Sequence, residues 1–490
     1  MRSSRNPDTS VYRRALFGVA ALYAGLTLLP GMFISFGSNA DGWRSYSAGQ
    51  AFFSTGVYHP SRTPGNPLFE WMAGFLSLFG SSIISNSFVL LTYIISIIAF
   101  WRLAHNSRFR YLITALYALT PIIVINSNST HDYVSGLAFL LCAYALAQMG
   151  KIELSAILLA LSIGIRISNS LFIFPAMIYL YLNHYGIRRI FRYCCIASSL
   201  SILFYIPIFI QVGTRMFKLP VIPGTIDMYI VSIMYRGVML FGPLATGVLL
   251  FCLFRNLSNL KSTFSDIIRG KNPDAAVELL SILLFSLLFI KHPFRTEYLL
   301  PIIPFVYLNI SRWLSYKELI AVTVVVVLFG IVTIDVKGGK PGERRLAFNL
   351  SNGIIYRDFE ARKRIERIRT HIANSNITHK SVILTGMGET LTFQNPDLIK
   401  ADWREVSTKI DPGEVQEFDN IHKIRNGAKD IYLVYSMSEH NIQVLREEGY
   451  SVYYLDEAIA ICVYFYNYHP RDFGTKLDIS DNELFHSHSS

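Results

Sequence analysis

Apolar and polar residues fall along this chain in long blocks. Runs rich in Leu, Ile, Val and Phe occupy about residues 15–36, 84–101, 111–127, 133–149, 152–167, 170–183, 193–211, 231–254, 277–291, 297–311 and 318–335. A helix crossing about 30 Å of hydrocarbon needs roughly 20 apolar residues, so the pattern predicts eleven spans, the fifth and sixth of them short. The first two runs are separated by a polar, aromatic stretch, Asn39–Trp71, with three prolines and Gly65 in VYHPSRTPGNP. Such a segment exceeds an ordinary connection. Within the loop 37–83, Trp43–Thr55 and Pro67–Phe79 have helical apolar content too short to span, which predicts two helices lying at the membrane surface.

The pattern changes after Asp335. KGGKPGERR reads as a linker and Asp358–Arg369 (DFEARKRIERIR) as a charged, solvated helix. Beyond it, residues 381–386, 430–436, 451–456 and 460–466 read as buried strands, and Glu439–Glu448 as a helix ending at Gly449. The fold class expected is a polytopic α-helical membrane domain over 1–335, followed by an extramembrane α/β domain over 336–490. No internal repeat of the kind found in many transporters is evident.

Composition agrees, with 52% hydrophobic residues and a mean hydropathy of +0.36, well above soluble usage. The net charge of +11 would suggest nucleic acid in a soluble protein, but residues 1–335 carry 25 Lys/Arg against 12 Asp/Glu, and the rest 20 against 22. The excess belongs to the membrane half, and no nucleic-acid role follows. With the N-terminus inside, inner loops hold 17 Lys/Arg and outer loops 7, so positive charge places the N-terminus in the cytoplasm and, after an odd number of spans, the tail outside. The run 15–36 is long for a signal segment and has no small-residue cleavage site behind it, which marks a retained anchor. Cys142, Cys194, Cys195, Cys252 and Cys462 show no metal-type spacing and imply no disulfide. The compact outer loops suit a prokaryotic plasma membrane.

Ionisable groups at membrane depth are costly and tend to be functional. The outward side collects Asp41, Glu70, Asp132, Asp227 and Glu297 with Arg62, Arg166, Arg236, Lys291, His292 and Arg295. Asp41 can remove a proton from an attacking hydroxyl or cap the first surface helix. Glu70 is either part of an acceptor site or a member of a solvated helix face. His131-Asp132 brings an imidazole and a second carboxylate to the same side, where a divalent metal would fit the grouping, or Asp132 caps the next helix. Lys291, His292 and Arg295, in LFIKHPFRTEYLLPIIPF, run against the positive-inside bias and suit phosphate, Arg in bidentate fashion. Arg166, in IGIRISNS, either joins them or pairs with an internal acid. SVILTGMGET lacks the third glycine of a dinucleotide site and reads as a turn.

An acid just after the first span, SRTPGNPLFE, a short HD turn after the third, IRISNS, and HPFRTEYLLPIIPF together make residues 1–335 resemble the GT-C glycosyltransferases. The protein mannosyltransferase-like and aminoarabinose-transferase-like families are nearest. The resemblance implies a polyprenyl-phosphate-linked sugar donor in the membrane lipid, transferred with inversion to a glycan, lipid or protein acceptor on the outer face of the cell envelope. It implies Asp41 and Asp132 as catalytic acids, Arg62, Lys291, His292, Arg295 and Arg166 near the donor phosphate, and Glu70 and His131 at an acceptor or metal site. Where protein mannosyltransferases carry Asp-Glu, this chain has Asp41-Gly42. The rival reading is a transporter or flippase of lipid-linked saccharides that binds phosphate without chemistry, and a third is a non-catalytic assembly protein whose tail recruits partners.

Overall fold

The structure, a computed structural model, describes residues 25, 27–38, 40–58, 60–61, 64–79, 82–214, 226–293, 295–337, 345–349, 353–374, 381–384, 430–433, 443, 446–447, 449 and 451–454. Half of the first predicted span lies outside them, as do Arg62, the strand expected at 460–466 and the turn SVILTGMGET beyond Leu384. The stretch after the first apolar run forms two helices, α1 (Ala40–Thr55) and α2 (Pro67–Ser77). They pack through two glycines, since a Cβ on Gly49 would lie 2.4 Å from the Gly74 nitrogen and one on Gly74 2.3 Å from the Gly49 oxygen. Only hydrogen fits at either position.

Helices α3 (Ser82–Leu103), α6 (Asp132–Gln148) and α7 (Ile152–Ile165) build the centre. α6 is buried almost all round, as a helix without a polar face must be. Its neighbours meet it through small and hydroxylated residues: Thr92 to Ser135 at 2.9 Å, and Ser162 to the Gly136 carbonyl at 2.7 Å. Such hydrogen bonds hold helices together where the surroundings are as apolar as the core. On the other side of α3, Leu91 (53% exposed) and Ile98 (62%) point away from the protein. An outward apolar face on a core helix requires a lipid solvent. The chain is an integral membrane protein.

Among the described residues three helices are long and apolar enough to cross: Ser82–Asn106, Ile187–Ile210 and Pro273–Lys291, the last being α13. Two expected spans are bent pairs. Residues 111–127 are α4 (Arg110–Leu119) and α5 (Pro121–Ser127), inclined at 58°. Residues 231–254 fall in α10 (Ile226–Val238) and α11 (Pro243–Arg255), at 83°. Proline stands at the first position of each second helix, where its missing N–H costs nothing, and Gly242 adds a φ of +91° that other residues resist. The runs at 133–149, 152–167 and 170–183 are shorter apolar helices. After them come α9 (Ile187–Val212), α12 (Leu257–Ile268), α14 (Ile302–Trp313) and α15 (Tyr316–Ile331), α8 being Ile173–Leu182.

The last apolar run stops at Ile331. Residues Thr333–Lys337 (β1) and Arg345–Asn349 (β2) pair antiparallel, so the linker expected at KGGKPGERR joins two strands. α16 (Ile354–Asn374) follows, and it corrects the reading of a solvated helix: Asp358 is 3% exposed, Arg362 0% and Ile365 0%. Ile365 packs with Phe36, Trp43 and Tyr46 beside α1. Further on, β3 (Ser381–Leu384), β4 (Asp430–Leu433) and β5 (Ser451–Tyr454) form a parallel sheet in chain order. Parallel neighbours need crossover connections. Gln443, Arg446 and Glu447 are helical within the second of these, ahead of Gly449 at φ +89°.

Candidate functional site

Two ion pairs meet at one tyrosine. Asp41 lies in the first turn of α1 and is 4% exposed. Arg295 follows α13, 254 positions away in sequence, and its Nη1 donates to Oδ2 of Asp41 at 2.5 Å. The Tyr133 hydroxyl donates to the same oxygen at 3.3 Å. Burial opposes the Arg295 charge, but Asp41 outweighs it and holds the guanidinium above its usual value.

Asp132 opens α6 as its first residue rather than as the cap, which is His131. Arg166, just past the end of α7, donates from Nη1 to Oδ2 of Asp132 at 2.5 Å. Its guanidinium lies 4.0 Å over the Tyr133 ring and 5.7 Å from that of Tyr298. Tyr133 thus takes one cation on its face and gives its hydroxyl to the carboxylate facing the other. A buried ion pair is held only when its remaining valences are satisfied, and this shared ring contributes one contact to each.

The loops that carry the acids are braced against each other. The Thr130 nitrogen donates to the Phe36 carbonyl at 2.7 Å, and the Trp43 indole to the Gly37 carbonyl at 3.0 Å. Asn86 ties both segments to α3, donating to the Ser35 carbonyl at 2.8 Å and accepting from the Thr130 hydroxyl at 2.9 Å. His131 fits beneath glycines: a Cβ on Gly37 would come within 3.0 Å of its Nε2, and one on Gly42 within 3.3 Å of its Cδ2. Its Nδ1 meets the Ser129 hydroxyl at 2.9 Å. Burial pushes its pKa down to about 3, with Asp41 and Asp132 opposing and Arg362 and Arg295 assisting.

α16 braces the same two loops from the other side. Arg362 donates to the carbonyls of Gly31 (3.2 Å), Asn128 (2.8 Å) and Ile125 (3.1 Å) and to Oδ1 of Asn128 (2.7 Å). It also pairs with Asp358 at 2.7 Å, and Asp358 accepts from the Ser38 hydroxyl at 2.5 Å. Burial raises the Asp358 pKa, with Arg362 opposing.

The remaining predicted residues lie differently. Glu70 is not on a solvated face but 0% exposed. It accepts from the Tyr58 and Ser61 hydroxyls and from the Asn66 nitrogen at 3.2 Å, holding the proline-rich loop onto α2. Lys291 is exposed and His292 partly buried, its pKa lowered by burial and by Lys291. Among the described residues no three His, Cys, Asp or Glu side chains gather as a metal site requires, and Asp41 and Asp132 face arginines instead. Glu297 and Arg236, given no individual role above, interact electrostatically with Arg295, and Glu297 also with Asp41. Tyr133, Asp358 and Arg362 were not expected from the sequence. Tyr133 follows the HD turn directly, and that adjacency is the signal which could have found it.

No family model matches the chain, and no curated protein does. Among solved structures it resembles ArnT from Cupriavidus metallidurans in the apo state, at 12% identity and a TM-score of 0.43, over 62% of this chain and 59% of that one. It also resembles the same protein bound to undecaprenyl phosphate, at 14% identity and a TM-score of 0.40, over 62% and 60%. The chain thus spans about three fifths of the length of the proteins it matches.

Proposed function

We propose that this protein transfers a sugar from a polyprenyl-phosphate donor to an acceptor hydroxyl, with inversion, at the face of the membrane that carries Asp41. The observation that carries the reading is the buried pair of Asp41 and Arg295, 2.5 Å apart. A base for the acceptor and a cation for the leaving phosphate already stand together there, which is what this transfer needs. The motifs around both residues, which resemble those of the GT-C enzymes, support it further.

The chemistry divides between them. In the resting pair each neutralises the other, so the donor phosphate must draw Arg295 to itself, in bidentate fashion, before Asp41 can act. Asp41 then takes the acceptor's hydroxyl proton as the oxygen attacks the anomeric carbon. The bond from that carbon to the phosphate oxygen breaks, and the electron pair leaves on the polyprenyl phosphate, held by Arg295 with Lys291, His292 and Arg62 as further candidates. Asp132 and Arg166 flank the same tyrosine, Asp132 as a second catalytic acid and Arg166 as a second phosphate ligand if its own pair opens. Glu70 and His131 shape the acceptor side, and the domain beyond residue 336 lies on that same outer face of a prokaryotic plasma membrane.

Asp41→Asn tests this. Transfer by protein reconstituted with a polyprenyl-phosphate sugar should fall by about 10²–10⁴-fold, with unchanged insertion and monodispersity, and Asp41→Glu should recover part of it. Full activity in Asp41→Asn would sink the mechanism. The second reading, a flippase for the same lipid, is favoured by one observation, the bent pairs at 58° and 83°, since broken helices mark many transport pathways. Labelled donor crossing the bilayer at equal rates with wild type and Asp41→Asn, and no sugar transferred by either, would establish it.

A further inference from the structure

α12 is built the wrong way round for a helix that packs on protein. Leu257, Leu260, Phe264 and Ile268 recur at spacings of three, four and four and make one stripe. Such a stripe ordinarily faces the core, yet no residue of this helix is buried, Phe264 is 48% exposed and Ile268 84%. Leu260, at the edge of the stripe, packs against the core, and polar residues make the other contacts. Asn259 donates to the Trp313 carbonyl at 3.0 Å, and Thr263 accepts from the Trp313 indole at 3.0 Å. Just before the helix, Asn256 donates to Glu318 at 3.2 Å. At 100° per residue Asn259 lies about 140–180° from Leu257, Phe264 and Ile268, and Thr263 about 100–140° from them. The side carrying Asn259 and Thr263 therefore faces the bundle, and Leu257, Phe264 and Ile268 face away, along an open hollow lined also by Lys261, Ser265 and Arg269.

The position decides what covers the stripe. Asn256 alone separates α12 from α11, and four residues separate it from α13, a helix of membrane-crossing length. α12 is therefore held where hydrocarbon gives way to water. A tryptophan beside it fits that zone, where aromatic rings with a polar edge collect. Lys261 and Arg269 border the stripe, Lys271 follows it, and all three are exposed, whereas Asp266 lies toward the bundle side of the helix. An apolar face edged by cations is complementary to acyl chains under anionic headgroups.

We propose that Leu257–Ile268 is an in-plane membrane anchor. Its exposed Leu257, Phe264 and Ile268 are sunk among acyl chains, and Lys261, Arg269 and Lys271 gather anionic lipid headgroups around them. The proposal rests on the geometry of this helix and is independent of the transfer reaction.

The test uses the full chain in nanodiscs, with its five cysteines replaced and one nitroxide at a time on Phe264, Ile268, Ser258 or Ser262. Labels at Phe264 and Ile268 should relax with oxygen and be shielded from a water-soluble nickel chelate, and those at Ser258 and Ser262 should show the reverse. In mixed discs, spin-labelled phosphatidylglycerol should be motionally restricted by the protein more than phosphatidylcholine. Each of Lys261→Gln, Arg269→Gln and Lys271→Gln should lower that preference by about fivefold at low salt. Nickel access at Phe264 and Ile268 equal to that at Ser262 would overturn the anchor. Shielding from both reagents would do so as well, because protein, such as a second copy of the chain, would then cover the stripe. Equal restriction of the two lipids would overturn the anionic preference.

Discussion

His131 is an imidazole kept neutral inside a ring of charges. Its pKa in the folded chain, about 3, lies below the ordinary 6.5. Between those values the unfolded chain binds a proton that the folded one refuses, so stability is complete above about pH 6.5 and falls as the pH drops. At 1.36 kcal/mol per unit, about 2 kcal/mol is lost by about pH 5. Thermal melts of the detergent-purified protein from pH 7 to 5 should fall more steeply for wild type than for His131→Gln, and parallel curves would remove His131 as the cause. Of the charges around it, Asp41, Asp132 and Arg295 were legible in the sequence because they stand near the ends of apolar runs, and Arg362 was not. Nor was their pairing. Asp41 meets Arg295 across 254 positions, a relation fixed by helix packing, which no local spacing encodes. Glu70 was misjudged for a related reason: its partners Tyr58, Ser61 and Asn66 lie in the loop before it, and an acid beside an aromatic residue reads the same whether solvent or loop covers it.

Elements were legible where apolar length alone decides and illegible where one residue redirects the chain. α3, α6, α7 and α13 lie close to their apolar runs, whereas Thr120-Pro121 and Gly242-Pro243 break two runs that are apolar enough, each taken whole, to span. α16 escaped because a buried i,i+4 pair, Asp358 with Arg362, has the same spacing as a solvated one. Arg362→Met would strip four hydrogen bonds from the loops behind Asp41 and Asp132 and leave Asp358 buried without its cation, a loss of about 3–5 kcal/mol. Arg362→Lys should lose less, and a melting temperature equal to wild type for Arg362→Met would show the brace to be idle. Between α1 and α2 the prediction is steric. Gly49→Ala places a Cβ 2.1 Å from the Glu70 carbonyl, and forcing that contact costs about 1–3 kcal/mol. Gly247→Ala in α11, with nothing within 4 Å of the new Cβ, is the matched control and should be neutral. Equal melting of the two variants would refute the close approach.

For the whole molecule, one hydrogen bond constrains the topology more tightly than the count of spans does. Ser38 in the first loop and Asp358 at the start of the tail are joined at 2.5 Å, so both lie at the same face of the membrane. The chain between them must then cross an even number of times. α13 carries the matching ruler. Its 19 residues cover about 28 Å at 1.5 Å per residue, with Arg295 of the Asp41 pair beyond one end and the basic turn at Lys271 beyond the other. The distribution of positive charge is the ground for expecting the Lys271 end in the cytoplasm. A membrane-impermeant maleimide added to sealed cells should therefore label Ser54→Cys and Tyr356→Cys, both exposed, and spare Lys271→Cys until the membrane is opened. All three positions lie away from the ion pairs, so a background without the native cysteines reports sidedness alone. Labelling of Ser54→Cys and Tyr356→Cys from opposite sides would break the link between loop and tail. Labelling of Lys271→Cys alone in sealed cells would keep that link and invert the chain, putting the Asp41 and Arg295 pair at the cytoplasmic face and the sugar donor with it.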